Sequence, residues 1–272
     1  MNHLFFQFRS FITYWLNAVD AHSLHSPFFY DFYTQVVQPA KHATRLSRRN
    51  EHQTPVYREI EHARLALLKN EATIEVLDLG AGSKHTSGSD RKISEIASHS
   101  LSDARYGQLY HRAVAHFRAE HVLELGTSLG INSMYLAANA GTHVTTIEGS
   151  PEVANLAMSL FAKRQVSNIA VICDNIDNVL ARVVDQLPRV DFVFLDANHR
   201  LAPTLRYFEL IVAKVHHRSV IVVDDIHDSP EMNKAWNEIK RHPRTKGTAD
   251  LFRCGFVFFD PSLNSQHFVL QI

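Results

Sequence analysis

The chain has 272 residues, of which 45% are hydrophobic and 21% charged, so its composition is that of a globular protein with a sizeable core and not of a disordered one. Lys plus Arg and Asp plus Glu number 28 each, and a net charge of zero does not favour a nucleic-acid or anionic-membrane partner. Two cysteines are too few for a disulfide framework or a zinc knuckle, so we expect a cytoplasmic protein.

Residues 1–70 have helical spacing. Their apolar start is interrupted by Gln7, Arg9, Asn17 and Asp20, so neither a signal peptide nor a membrane span is predicted. The pattern favours an amphipathic helix packed on the body of the protein. We therefore expect an N-terminal helical extension over residues 1–104 and no membrane partner. Whether the protein forms a homodimer is left open by the sequence.

The second half of this extension is predicted to begin with a short strand at 72–78. A loop rich in Gly and Ser follows at 79–90, and helical spacing returns from 91 to 116. The loop is either a plain surface connection or a lid over a bound ligand.

From residue 121 onward, short apolar runs alternate with amphipathic stretches, which is typical of βαβ units. The predicted helices are 130–140, 151–164, 176–186, 201–214 and 231–242, and the predicted strands are 121–125, 143–148, 168–173, 190–195, 218–224, 246–251 and 254–260. The fold class is therefore α/β, a Rossmann-like doubly wound and mostly parallel seven-stranded sheet. We place this domain at residues 105–272, with the last two strands as an antiparallel edge hairpin because no helix separates them.

Polar residues follow the predicted strands, where an open parallel sheet binds its ligands. The first strand leads into a turn with Gly126 and Gly130, and the second ends at Glu148, a carboxylate that can accept hydrogen bonds from a ribose diol. The candidate cofactor-binding residues are Glu124, Gly126, Thr127, Ser128, Gly130, Glu148, Gly149, Asp174, Asn175 and Asp196.

The first turn distinguishes two kinds of nucleotide cofactor. A dinucleotide site favours Gly-x-Gly-x-x-Gly, but here Ser128 takes the place of the middle glycine. Glu124 would repel a pyrophosphate and would suit a cofactor with ammonium and sulfonium charges. A nicotinamide-dependent oxidoreductase is thus the less favoured enzyme.

The stretch Glu124–Gly130, followed by Thr146-Ile-Glu148-Gly, resembles motifs I and II of class I S-adenosylmethionine-dependent methyltransferases of the catechol and caffeoyl-CoA O-methyltransferase group. The resemblance covers about residues 105–260. It implies that Glu124 and the 126–130 turn face the methionine part, Glu148 the ribose and Asp174-Asn175 the adenine. The segment Val76–Ser83 also looks like motif I in isolation, but no strand ending in an acid follows it at the right distance.

Carboxylates also follow the fourth and fifth predicted strands of the domain. Asp196, Asp224 and Asp225 offer oxygen ligands that suit Mg²⁺ or another hard divalent cation. The resembling family has an Asp at the first position, an Asp-Asn pair at the second and a lysine three residues after the first Asp. This chain has Asp225 in place of the Asn and His199 in place of the lysine, so we expect Asp196 and His199 to be catalytic, with His199 as the base.

The resemblance implies methyl transfer from S-adenosylmethionine to a small-molecule acceptor, at a hydroxyl oxygen and with the assistance of a cation. A cluster without metal is an equally open interpretation, in which Asp196 contacts the cofactor and Asp224-Asp225 cap the fifth strand. A metal-independent methyltransferase acting on nitrogen or RNA also stays open, as does a non-catalytic cofactor-binding module. The acceptor itself is not predicted.

Overall fold

The computed structural model describes residues 3–39, 54–77 and 90–272. It divides into two compact units, Met1–His42 with Leu180–Ile272, hereafter the 180–272 unit, and Ala43–Val179, hereafter the 43–179 unit. These units do not follow the predicted division at residue 104, which stays a prediction.

Within the described ranges, the α-helices are α1 (His3–Asn17), α2 (Pro27–Phe32), α3 (Pro55–Leu68), α4 (Ile93–Ser100), α5 (Ala104–His116), α6 (Ile131–Leu136), α7 (Pro151–Lys163), α8 (Ile176–Gln186), α9 (Leu201–Val212) and α10 (Pro230–Arg241). The strands are β1 (Thr73–Glu75), β2 (Asp90–Lys92), β3 (His121–Leu125), β4 (His143–Glu148), β5 (Ile169–Cys173), β6 (Val190–Leu195), β7 (Val215–Val223), β8 (Gly247–Asp250), β9 (Gly255–Phe258) and β10 (Gln266–Val269). The α/β class, the mostly parallel strands and the helical N-terminal region are confirmed.

The 43–179 unit contains three parallel strands in the order β3, β4, β5. Leu125 pairs with Ile147, and Glu148 pairs with Cys173, so the carboxyl ends of the three strands lie at the same edge. The residues of β3 from Val122 to Leu125 are fully buried, as expected for a parallel strand that is covered on both faces. The turns that carry the predicted cofactor residues are therefore neighbours.

The glycine turn at Val76–Ser83 begins after a strand of a different kind. β1 pairs antiparallel with β2 in a two-stranded ribbon, outside the parallel ladder of β3, β4 and β5. Choosing the later turn as motif I is consistent with this topology. The predicted loop at 79–90 lies outside the described residues apart from its last position.

The predicted helix at 91–116 is wrong in two places. Asp90–Lys92 is extended because it pairs with β1, and residues 101–103 separate α4 from α5. Asp103 starts α5 by accepting a hydrogen bond from the Arg105 amide at 2.8 Å. Local capping and strand pairing thus override a continuous helical pattern.

The 180–272 unit contains five strands in the order β10, β8, β9, β7, β6. β6 and β7 are parallel, and β9 is antiparallel to both β7 and β8, so the predicted antiparallel hairpin is confirmed. The prediction of seven strands omitted β10, which pairs parallel with β8 and covers the edge that the hairpin was expected to form.

The first 39 residues belong to this second unit. Phe29 and Phe32 of α2 are fully buried, with their rings 5.6 Å and 5.2 Å from Phe258 of β9. The Tyr14 hydroxyl of α1 donates to the Leu270 carbonyl oxygen at 2.6 Å. None of the helices in the described ranges has both the length and the apolar composition needed to cross a bilayer.

Candidate functional site

The turn after β3 has the backbone geometry of a ligand-binding loop. Gly126, Ser128 and Gly130 all have positive φ, at 98°, 48° and 83°. At Gly130 a Cβ atom would lie 2.7 Å from the Phe161 ring, so α7 approaches this turn too closely for any other residue. Close packing against α7 and positive φ therefore favour glycine at position 130, and positive φ favours it at position 126.

Glu148 connects the turns after β3 and β4. Its Oε2 accepts a hydrogen bond from the Ser128 amide at 2.9 Å, and its Oε1 accepts one from the Ser150 amide at 3.0 Å. Burial raises the pKa of this carboxyl group, and backbone hydrogen bonds from Ser150, Ser128 and Gly149 oppose the shift. A carboxylate has about four lone-pair sites, and these backbone donors occupy up to three of them, so Glu148 can still accept from a diol.

Glu124 is fully buried at the end of β3. Its Oε1 accepts a hydrogen bond from the Asn132 side-chain nitrogen Nδ2 at 2.9 Å, and its Oε2 accepts one from the Ser133 hydroxyl. Both donors lie in the first turn of α6. The structure thus places Glu124 against this helix start, and the predicted contact with the methionine part of a cofactor stays a prediction.

Asp174 and Asn175 lie between β5 and α8. The Asp174 amide donates to the Glu148 carbonyl oxygen at 3.0 Å, which places the turn after β5 beside the turn after β4. The Asn175 side-chain oxygen accepts from the Asp177 amide at 2.9 Å, as in a helix cap. Both residues are half-buried, and the structure brings them to the edge that Glu148 occupies.

The ribbon and α4 pack beside the first turn. Ile74, Val76 and Ile93 belong to the same apolar cluster as Leu129, and the Leu77 amide donates to the Ser150 hydroxyl at 3.2 Å. Leu77, the last described residue before the gap at 78–89, therefore lies next to the candidate cofactor residues. The contact between Ser150 and Leu77 joins residues 73 positions apart, so it has no local sequence signal.

The 180–272 unit contains a second group of candidate residues. Asp196, His199 and Asp225 each offer a ligand atom, and these three atoms lie within 4.8 Å of one another. His199 Nε2 is 3.3 Å from Asp196 Oδ1, and His199 Nδ1 is 3.9 Å from Asp225 Oδ2. Asp196 was also expected to contact the cofactor, and this contact stays a prediction. The partner that the structure gives it in this cluster is His199.

The charge of His199 depends on its two acidic neighbours. Burial lowers its pKa, but the hydrogen bond and charge of Asp196 and the charges of Asp225 and Asp224 outweigh burial and raise the pKa to about 9. A histidine that keeps its proton at neutral pH is a poor general base. The predicted role as a base is therefore not favoured by these electrostatics in the absence of a cation.

The donor set of this acidic cluster fits a divalent cation. His199 Nδ1 is buried without a hydrogen-bond partner, although it points toward the gap beside Asp225. Asn198, His199 and Asp225 all have positive φ, a strained conformation for residues other than glycine that is often found at functional sites. Two carboxylates and an imidazole suit Mn²⁺, Fe²⁺ or Zn²⁺ as well as Mg²⁺.

Asp224 has a different partner from the one predicted. Its carboxylate is fully buried, and Arg253 Nη2 donates to its Oδ2 at 3.1 Å. Burial and the charges of Asp196 and Asp225 raise its pKa to about 7, against the opposing charge of Arg253. Arg253 Nε also lies 4.0 Å from Asp225 Oδ1, so one arginine contacts both acids, and Asp225 belongs to the acidic cluster as well.

A cavity of about 500 Å³ in the 180–272 unit includes Asp225 in its wall. It is lined by residues of α1, of the turn after β7 and of the turn between β8 and β9, namely Leu4, Gln7, Phe8, Phe11, Asp225, His227, Asp228, Phe252 and Arg253. Among these described lining residues, Asp225 is the one that was predicted as a site residue.

Phe252 is held in place on several sides within this cavity. Its φ is 67°, which is unusual for a bulky residue, and its amide donates to Asp250 Oδ1 at 2.9 Å. The His227 ring stacks on it with centroids 5.5 Å apart, while His227 Nε2 lies 2.8 Å from Asp250 Oδ2. Trp236 is buried in the core.

Residues 123–226 match a family model described as a methyltransferase domain. A catechol O-methyltransferase from Mycobacterium tuberculosis is 29% identical over 116 residues, which cover 40% of this chain and 49% of the relative. The chain thus matches about half the length of this curated relative.

Solved structures have the same fold. An O-methyltransferase from Bacillus cereus in complex with S-adenosylhomocysteine has a TM-score of 0.56 at 17% identity, covering 75% of this chain and 90% of its own. A Staphylococcus aureus protein named for the caffeoyl-CoA O-methyltransferases has a TM-score of 0.54 at 19% identity, covering 61% and 88%. The predicted resemblance to class I methyltransferases of the catechol and caffeoyl-CoA group is confirmed for the matched region.

Proposed function

We propose that this protein is a methyltransferase that binds S-adenosylmethionine through the turns after β3, β4 and β5. The observation that carries the proposal is the Glu148 carboxylate, which is fixed by the Ser128 and Ser150 amides and keeps lone pairs for a ribose diol. The family match over residues 123–226 supports the same cofactor, and related proteins are bound to S-adenosylhomocysteine or S-adenosylmethionine.

A calorimetric titration with S-adenosylhomocysteine tests this cofactor site. We expect Glu148→Gln to weaken binding roughly tenfold to hundredfold, because a hydrogen bond to a charged group is lost. Glu152→Gln is the matched control, since Glu152 is an exposed carboxylate in the first turn of α7, four residues further along the chain. Equal affinity of the Glu148 variant and the wild type, or tight binding of a nicotinamide dinucleotide instead, would contradict the proposal.

We further propose that the acceptor is a small molecule with a hydroxyl group that binds in the cavity beside Asp225. The acceptor oxygen attacks the cofactor methyl group in line, so that an O–CH3 bond forms as the S–CH3 bond breaks and S-adenosylhomocysteine is released. A divalent cation at the acidic cluster would lower the pKa of the hydroxyl group, so that its proton would pass to solvent water before the attack at neutral pH.

The residues of the acidic cluster have separate parts in this proposal. Asp196 and Asp225 would provide carboxylate ligands to the cation, and His199 would lose its proton and provide an imidazole ligand instead of acting as the base. The Arg253–Asp224 ion pair positions the turn that carries Asp225. Phe252 and the α1 side chains supply the apolar wall for the body of the acceptor.

A titration with Mn²⁺ tests the cation site independently of the acceptor. We expect the wild type to bind one ion and Asp225→Asn to bind it much more weakly, while Asp185→Asn has no effect because that carboxylate is 92% exposed in its ion pair with Lys214. If wild type and Asp225→Asn bind Mn²⁺ equally, the cation is not held by this cluster and a metal-independent reaction is favoured.

A further inference from the structure

The outward face of α1 is apolar along its whole length. Seven large apolar side chains between 40% and 71% exposed lie on it, namely Leu4, Phe5, Phe8, Phe11, Ile12, Trp15 and Leu16, hereafter the α1 stripe. At 3.6 residues per turn they fall within an arc of about 140°. Side chains of this size expose roughly 700 Å² together, which exceeds the largest apolar patch of an ordinary monomer.

The opposite edge of α1 is fixed to the 180–272 unit. The Tyr14 hydroxyl donates to the Leu270 carbonyl oxygen, and the Gln7 side-chain nitrogen donates to Asp228 Oδ1 at 2.9 Å. The Phe11 ring packs edge-on against Phe252, with centroids 5.2 Å apart. The helix is thus anchored by Gln7 and Tyr14, and Phe11 lies at the margin where the α1 stripe meets the 180–272 unit.

The rest of the chain has little to cover the α1 stripe. The two internal segments outside the described ranges, 40–53 and 78–89, contain Leu46 and Leu79 as their large apolar residues and are otherwise small, polar or charged. Seven bulky side chains need a larger apolar surface than these two leucines provide.

We propose that the α1 stripe binds the surface of a lipid bilayer. α1 contains one arginine and no lysine, aspartate or glutamate, so its attraction is hydrophobic and does not require anionic lipids. At about 22 Å the helix is too short to span a bilayer but long enough to lie in its interface, where tryptophan and phenylalanine are favoured.

Two observations favour a bilayer over a second copy of the chain. A helix pairs with another helix along a narrower seam, whereas an arc of about 140° fits partial immersion in a planar apolar phase. In addition, Leu4, Phe8 and Phe11 belong to both the stripe and the cavity beside Asp225, so a protein bound along the stripe would cover the cavity wall. A fluid bilayer instead leaves a route by which an acceptor with an apolar body can reach the cavity. This second observation rests on the proposed function.

Sedimentation with phosphatidylcholine vesicles tests the proposal without requiring methyl transfer. We expect the wild type to bind the vesicles and molar salt to have little effect. Phe5→Glu with Leu16→Glu should lower the partition coefficient roughly tenfold for each side chain, and neither residue lines the cavity. The matched control is Leu65→Glu with Leu68→Glu, two exposed leucines of α3, which should bind like the wild type.

Tryptophan fluorescence gives a second readout. Trp15 is exposed and Trp236 is buried, so vesicle binding should shift the emission of Trp15 to shorter wavelength. Trp15→Phe should bind vesicles without this shift. Failure of the wild type to bind vesicles would overturn the proposal, as would a concentration-dependent dimer that the Phe5 and Leu16 substitutions dissociate. Retained affinity for S-adenosylhomocysteine shows that the variants are folded and separates this outcome from a failure of the proposed function.

Discussion

Replacing Gly130 with alanine tests whether close packing determines the first turn. Gly130 has a φ of 83°, and an alanine there is strained by about 1–2 kcal/mol. Its Cβ would also lie 2.7 Å from two carbon atoms of the Phe161 ring, which is buried and unable to move freely. Overpacking of this kind costs about 1–3 kcal/mol more, so we expect a total loss of about 2–5 kcal/mol in the free energy of unfolding.

Gly141→Ala is the matched control in the same unit. Gly141 has the same φ of 83°, but nothing lies within 4 Å of a Cβ added there. Thermal unfolding should therefore show a loss of about 1–2 kcal/mol for Gly141→Ala, at roughly 2–4 °C per kcal/mol, and a clearly larger loss for Gly130→Ala. Equal shifts in Tm for the two variants would refute the argument from Phe161.

A double-mutant cycle identifies the clashing group directly. Phe161→Leu removes part of the ring that an alanine at 130 would meet. We expect the two substitutions together to cost less than the sum of their separate effects, with a coupling of about 0.5–3 kcal/mol. Strict additivity would indicate that the strain lies in the backbone alone.

Two further predictions concern the acidic cluster. The affinity for Mn²⁺ should rise about tenfold per pH unit up to about pH 9, because the cation must displace the proton that His199 holds below its pKa. Calorimetry at several pH values measures this slope. The slope would be absent if His199 were not a ligand. Arg253→Met should cost about 3–5 kcal/mol above pH 7 but little well below it. With Arg253 in place the pKa of Asp224 is raised to about 7, so the folded-state carboxyl group is charged and needs the arginine only as pH rises above 7, and the cost of losing Arg253 grows from there. Adding Asp224→Asn should restore most of the loss, and a loss that does not depend on pH would argue against the ion pair.

The sequence by itself determined the alternation of strands and helices in the matched region. Apolar period and turn residues are local properties, so β3 to β7 and the acids at their ends were predicted at nearly the observed positions. Glu124 and Ser128 favoured a cofactor other than a dinucleotide. Ser128 replaces the middle glycine of the dinucleotide motif, and a carboxylate at Glu124 would repel a pyrophosphate. The partner of Glu148 was not predicted, since its hydrogen bond to Ser128 joins residues of two different strand ends.

Tertiary structure decided which acids lie together. Asp224 and Asp225 are adjacent in sequence, but consecutive side chains point in different directions, and the arginine that pairs with Asp224 lies 29 residues further along the chain. β10 was not predicted because its pairing with β8 depends on a parallel neighbour that the local pattern does not indicate. The amphipathic pattern of α1 likewise predicts an apolar face but not its orientation. Polar contacts from Tyr14 and Gln7 fix the other edge to the protein, and only this packing leaves the apolar face exposed.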